Sequence, residues 1–184
     1  KDYTLVSKNV QLDKLDVEDQ PGEGQQMVTE LKNPLNGDKD WSIELEYDLS
    51  GNTSYNAYGS CLLTSSSNPL KDDYAGEFQV YLKDDRSLVI KVNNKHDTYR
   101  FWHTQDYFSH IKVVITYSQN NVTLDVYNSM DELETIVVPN VKLYDVTALY
   151  SALPATGATI TNLATYQVEK MTWKEHLETG EGIE

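Results

Sequence analysis

Residues 41–49 read WSIELEYDL. Trp41, Ile43, Leu45, Tyr47 and Leu49 take alternate positions, and Ser42, Glu44, Glu46 and Asp48 fill the gaps. Successive side chains of an extended chain point to opposite sides, so this stretch makes a ribbon with one apolar and one acidic side. A helix would scatter the same residues around its whole circumference. The stretch therefore predicts a β-strand with one dry face, and a dry face needs a second layer to cover it.

The same period continues outward along the chain. EFQVYLK (77–83) aligns Phe78, Val80 and Leu82, and SLVIKVN (87–93) aligns Leu88, Ile90 and Val92, with the polar turn KDDRS between them. HIKVVITY (110–117) aligns Ile111, Val113, Ile115 and Tyr117. NVTLDVYN (121–128) answers with Val122, Leu124 and Val126 after the turn SQNN. Further strands are expected in YTLVSKNVQL, QQMVTEL, YGSCLLTS, DTYRFW, LETIVVP and TYQVEKMTW, about eleven in all. VTALYSAL (146–153) reads as a helix-like patch, and DQPGEG and NPLNGDKD read as loops on their Pro and Gly content. Many short strands with regular turn signals predict an all-β fold, a two-sheet antiparallel β-sandwich. Trp41, Ile43, Leu45, Phe78, Val80, Ile90, Val113, Ile115, Leu124 and Val126 are its expected core.

The chain has 184 residues, enough for one full-sized domain, expected over 1–175. HLETGEGIE (176–184) reads as a polar tail or the start of a linker, and the opening at Lys1 rather than Met as a piece cut from a longer protein joined to further domains. Net charge is −14, with 15 basic against 29 acidic residues. That excludes nucleic acid as a partner, because a phosphate backbone needs clustered Lys and Arg, and it opposes docking on anionic lipid. No apolar run approaches the roughly 20 residues of a bilayer-spanning helix, so no membrane insertion is expected. Cys61 is the sole cysteine, which rules out an internal disulfide, and its apolar run makes it a buried small hydrophobe.

Four groups of residues could carry chemistry. HDTYRFWHTQDYF (96–108) concentrates aromatics around Arg100 in a chain with few arginines. On a strand Tyr99 and Phe101 share one face, and Arg100 and Trp102 the other. A Trp ring stacks on the C–H face of a sugar, and an Arg fork grips a carboxylate. His103 adds a further polar group. The bland alternative is that Arg100 covers Trp102 or pairs with a carboxylate. Tyr55 and Tyr58 in NTSYNAYGS, and Tyr74 in KDDYAGE, lie in polar loops where aromatics have little reason to be core. Glu44, Glu46 and Asp48 alternate on one strand, and carboxyls spaced this way approach the separation used by retaining glycosidases. A solvated acidic face that deters edge pairing explains them as well. Asp72 and Asp73, with Asp38 and Asp40, offer hard oxygen ligands to calcium, although turn residues look the same. There is no zinc-ligand spacing among the histidines, no Ser–His–Asp triad and no glycine-rich phosphate loop.

The order of elements resembles the laminin-G-like, concanavalin-A-like jelly rolls of bacterial carbohydrate-active proteins. The carriers are WSIELEYDL, GEFQVYLKDDRSLVIKVNN, HIKVVITYSQNNVTLDVYNS and TITNLATYQVEKMTW, which together span nearly the whole chain. Within that group it looks most similar to the modules attached to bacterial sialidases. The resemblance implies a carbohydrate-binding module with a glycan ligand, loops at one edge forming the ligand rim, no catalysis, and a structural calcium as the one candidate cofactor. The abundance of Tyr, Asn, Ser and Thr suits an extracellular or bacterial cell-surface module, with the periplasm as the other compartment, and a monomer is expected. Related glycosidases carry a carboxylate triple on one strand. Here Glu46 replaces the family's helper aspartate and Asp48 its acid/base glutamate, which weakens the hydrolase alternative. A protein-interaction or spacer domain is the third reading.

Overall fold

The computed structural model describes residues 5–14, 26–48, 60–65, 78–82, 87–92, 95–102, 110–152 and 159–172. Within them lie twelve strands: β1 (Leu5–Lys14), β2 (Gln26–Leu35), β3 (Trp41–Asp48), β4 (Ser60–Thr64), β5 (Phe78–Leu82), β6 (Ser87–Val92), β7 (Lys95–Trp102), β8 (His110–Ser118), β9 (Asn121–Tyr127), β10 (Leu133–Val138), β11 (Val146–Ala152) and β12 (Thr159–Thr172). They form two six-stranded sheets. Sheet A has the order β1-β12-β3-β8-β9-β10, and sheet B the order β2-β11-β4-β5-β6-β7. Every pairing is antiparallel.

Alternation decides which face of each strand is dry. Trp41, Ile43, Leu45 and Tyr47 of β3 are buried, as are Ile111, Val113, Ile115 and Tyr117 of β8 and Val122, Leu124 and Val126 of β9. Phe78, Val80 and Val92 answer from sheet B, and Leu143, Leu149 and Ile160 complete the same cluster. All expected core residues whose side chains are described are in it; the side chain of Ile90, on β6, lies outside the description.

The β8–β9 hairpin closes where SQNN predicts a turn. Gln119 (φ 51°) and Asn120 (φ 61°) both adopt the left-handed conformation. A two-residue turn of that kind matches the right-handed twist of the strands it joins.

Two segments depart from the sequence reading. Of VTALYSAL, residues Val146–Ala152 form strand β11, not helix. A register break between Val146 and Ala148 shifts its phase, so buried Val146 and Leu149 mimic helical spacing before Ser151 resumes the strand period. NPLNGDKD is only partly loop, because β2 runs on through Asn33, Pro34 and Leu35. Strand β2 is the edge of sheet B, where a proline costs no inner ladder bond. KDDRS and DQPGEG fall on residues outside the description, apart from Ser87, which opens β6.

Ile115 is fully buried between two apolar strands, whereas its neighbour Thr116 points outward and is half-buried. Ile115→Ala is expected to lower unfolding free energy by about 2–5 kcal/mol. Thr116→Ala should change it by no more than about 0.5 kcal/mol. Urea unfolding of the two variants checks the assignment of faces.

Candidate functional site

Strand β7 carries Arg100 and Trp102 at the free edge of sheet B. Its ladder with β6 pairs Tyr99 with Ile90 and Phe101 with Leu88, while Arg100 pairs with Val89 and Trp102 with Ser87. Ile90 in turn pairs with buried Val80. Directly paired residues share a face, so Tyr99 and Phe101 hold register positions on the core face and Arg100 and Trp102 on the other.

The strand ends divide the remaining candidates. Trp41 at the start of β3 packs against Phe78 at the start of β5, with ring centroids 6.2 Å apart. The far ends are joined by the pairs Asp48–His110, Ser60–Leu82 and Ser87–Trp102. Residues 49–59, with Tyr55 and Tyr58, connect strand ends at that far end, and His103 follows Trp102 there. Residues 66–77, with Asp72, Asp73 and Tyr74, connect Ser65 and Phe78 at the opposite end, where Ser65 N–H donates to Phe78 O at 3.3 Å. Tyr55, Tyr58, Asp72, Asp73, Tyr74 and His103 themselves lie outside the described residues.

The acidic triple is placed on the outer face of sheet A. Glu44, Glu46 and Asp48 are each half-buried there. The Tyr166 hydroxyl donates to Glu44 Oε2 at 3.5 Å, and Glu46 Oε1 lies 3.4 Å from His110 Nε2. The Tyr166 phenol is pushed above its ordinary value, first by burial, then by the Glu44 charge and its hydrogen bond. The sequence reading missed Tyr166 and His110 as partners of this row, because strands distant in sequence supply them.

Asp38 and Asp40 lie beside the closed end of the sandwich. The end of the sandwich where β2, β8 and β10 finish is closed by the ribbon 139–145, which inserts Val141 and Leu143 into the core. Val141 N–H donates to Asn120 O at 2.7 Å, Leu143 N–H to the Tyr117 hydroxyl at 3.3 Å, and Gly37 N–H to Asp145 Oδ1 at 2.8 Å. Asp38 pairs with Lys142 at 3.6 Å, and Asp40 accepts from the Ser118 hydroxyl at 3.0 Å. Among the described residues no three His, Cys, Asp or Glu side chains converge closely enough to hold a metal ion. No helix among them is long and apolar enough to cross a membrane.

No protein family model matches the chain, and no curated protein matches it. Solved structures do. The exoplasmic/lumenal domain of VIP36 in its Ca2+-bound form is similar at 15% identity and a TM-score of 0.57, with 93% of this chain and 88% of that one covered. A Lotus tetragonolobus seed lectin is similar at 11% identity and a TM-score of 0.57, covering 94% and 95%. A legume lectin-like domain from Entamoeba histolytica follows at 10% identity and a TM-score of 0.53, covering 92% and 89%. The chain therefore has the legume-lectin-like, concanavalin-A-like jelly-roll fold.

The Tyr166–Glu44 contact has a pH signature. A phenol whose folded pKa lies above its unfolded value of 10.0 contributes stability that is complete below that value and lost as pH rises through the folded pKa. Tyr166→Phe should therefore lose less stability than the parent across the strongly alkaline range. Glu44→Gln should bring the phenol only part of the way back, because burial is the larger cause. Denaturant titrations at alkaline pH, with near-ultraviolet phenolate absorbance, read both effects.

Proposed function

We propose that this chain is a non-catalytic carbohydrate-binding domain. The observation that carries the reading is the likeness of fold over nine-tenths of the chain to proteins that are lectins or lectin-like. Neighbours of the same fold have been solved with sugars: the VIP36 domain with Ca2+/Man2 and Ca2+/Man3GlcNAc, the lectin UEA-II with galactose, and a lectin from Bauhinia forficata with GalNAc. The proposed setting is a secreted or surface-located bacterial glycan-degrading protein, in which this domain holds substrate near a separate catalytic unit. A sialidase is one such parent.

In this reading Trp102 supplies the stacking surface and Arg100 the directional donors, with His103, Tyr55 and Tyr58 as further contributors. Their strand-edge and loop positions suit a shallow, wet site of modest affinity. The acidic surface disfavours anionic glycans at long range, so an acidic sugar would depend on Arg100 at contact distance. Catalysis by the carboxylate row is disfavoured by its position. Glu44 and Glu46 lie on the outer sheet face, already engaged with Tyr166 and His110.

A glycan array probed with the isolated chain, with calcium and with a chelator, is the direct test. The chelator arm reports whether Asp72 and Asp73 hold calcium that binding needs. At least one glycan class should bind. Trp102→Ala should weaken that binding by about tenfold or more, which is roughly 1.4 kcal/mol, without loss of the β-sheet circular dichroism. Arg100→Ala should weaken acidic sugars more than neutral ones. An array with no bound glycan under either condition sinks the reading. Normal binding by both variants moves the site away from β7.

A further inference from the structure

We propose that Asn36 is a site of spontaneous deamidation, held in check by the Asp145 carboxylate and free to react only when the ribbon 139–145 lets go of Gly37. Asn36 and Gly37 form the one Asn-Gly pair in the 184 residues. That pair is the most reactive setting for an asparagine, because glycine has no side chain to keep its backbone nitrogen away from the preceding amide.

The reaction needs water and no other partner. Hydroxide removes the Gly37 N–H proton and becomes water. The nitrogen then bonds to Asn36 Cγ, and the Cγ–Nδ2 bond breaks. Nδ2 leaves as ammonia, taking a proton from water and restoring the hydroxide. Water opens the cyclic imide that joins residues 36 and 37. Opening at Cγ leaves aspartate at 36. Opening at the main-chain carbonyl leaves isoaspartate, with the chain running through the former side chain.

Both reacting groups are engaged in the folded chain. Gly37 N–H donates to Asp145 Oδ1 at 2.8 Å. A carboxylate there holds the proton that must leave and opposes the negative charge that its loss creates. Asn36 Oδ1 accepts from Asp38 N–H at 2.7 Å, and Asn36 O accepts from Lys39 N–H at 3.1 Å, so side chain and backbone are both fixed in the turn. The turn cannot shift toward the ribbon, because a Cβ on Gly37 would already come 2.3 Å from Leu143 O. Asn36 itself is exposed, so water reaches it without any opening of the core. Release of the Asp145 contact is therefore the controlling step. It is a local event, since Val141 N–H on Asn120 O and Leu143 N–H on the Tyr117 hydroxyl anchor the ribbon elsewhere. Asn128 gives the contrast. A small residue, Ser129, follows it too, but Asn128 is buried and its Oδ1 accepts from Met130 N–H at 2.9 Å and Glu132 N–H at 3.0 Å. Either product at 36 sets a further carboxylate beside Asp38, Asp40 and Asp145, and isoaspartate also lengthens the backbone of a turn packed against Leu143.

The 184-residue chain is incubated warm at neutral pH and digested, and peptide mapping with isoaspartate detection follows each asparagine. Unfolded in guanidinium chloride, the chain should react at Asn36 ahead of every other asparagine. Folded, it should react there at least about tenfold more slowly. Asp145→Ala should raise the folded rate at Asn36 by about fivefold or more and leave Asn128 unchanged. Asp145→Asn keeps an acceptor oxygen without the charge, and its rate should fall between. Ile115→Ala weakens the core without touching the turn, and its rate at Asn36 should match the parent. Circular dichroism matching the parent is required of each variant, and where Asp145→Ala fails this, Asp145→Asn carries the test. Equal rates at Asn36 in the folded and unfolded chain overturn the proposal. So does a rate that the Asp145 variants leave unchanged or lower, the second being the mark of a carboxylate acting as base. Acceleration by Ile115→Ala equal to that by the Asp145 variants overturns it as well.

Discussion

The contact on which the rest of the sandwich depends is the wedge of Trp41 between Phe78 and Tyr117. Trp41 opens β3 in sheet A, Phe78 opens β5 in sheet B, and Tyr117 lies near the end of β8. The ring centroids are 6.2 Å and 5.5 Å from that of Trp41. The three rings fix the spacing of the two sheets at one end. The Trp41 Nε1 hydrogen is buried without a hydrogen-bond partner among the described residues, a cost of about 1–3 kcal/mol. Burying roughly 150–250 Å² of indole at about 25 cal/mol per Å² returns some 4–6 kcal/mol. Size therefore outweighs the lost hydrogen bond, which explains an indole at a position where none of the described residues offers it an acceptor.

That wedge also organises the closed end. The Tyr117 hydroxyl donates to Asn120 Oδ1 at 3.1 Å and accepts from Leu143 N–H at 3.3 Å, so one side chain joins the core to the β8–β9 turn and to the ribbon 139–145. The ribbon packs so closely that a Cβ on Gly37 would come 2.3 Å from Leu143 O. A glycine is needed there for space, because no larger residue lets the backbones approach. The outer face of sheet A is the counterpart: Tyr166–Glu44, His110–Glu46 and Thr135–Asp125 make polar ties across neighbouring strands. Such partly exposed ties each contribute little, but they keep an acidic face hydrated and ordered.

Much of this was legible in the sequence because period-two alternation is a direct image of a sheet with one dry face. WSIELEYDL, HIKVVITY and NVTLDVYN each show it without interruption, and each became a central strand of sheet A. Legibility failed where geometry broke the period. The register break in β11 put Val146 and Leu149 three positions apart on one face, and Pro34 marked a loop in a segment that an edge position keeps extended. The candidate site was legible only as residue types. Arg100 and Trp102 gained a register on β7, but loop aromatics such as Tyr55 and Tyr58 obey no period that could fix their direction. The partners of Glu44 and Glu46 were invisible for a related reason, since Tyr166 is 122 residues away from Glu44 along the chain.

The topology also constrains how the candidate residues can cooperate. Trp102, and the strand ends that flank Tyr55 and Tyr58, belong to one end of the sandwich. Tyr74, Asp72 and Asp73 are tethered at the other, through Phe78 and Ser65. Tyr74 precedes Phe78 by four residues, so a fully extended tether reaches roughly 14 Å, which only draws it level with Leu82 at the far end of β5. A single site using both groups would need that segment stretched along the whole strand, with the ordering entropy that stretching costs. Two separate groups need no such stretch: Trp102 and Arg100 at one end, and the segment that carries Asp72, Asp73 and Tyr74 tethered at the other.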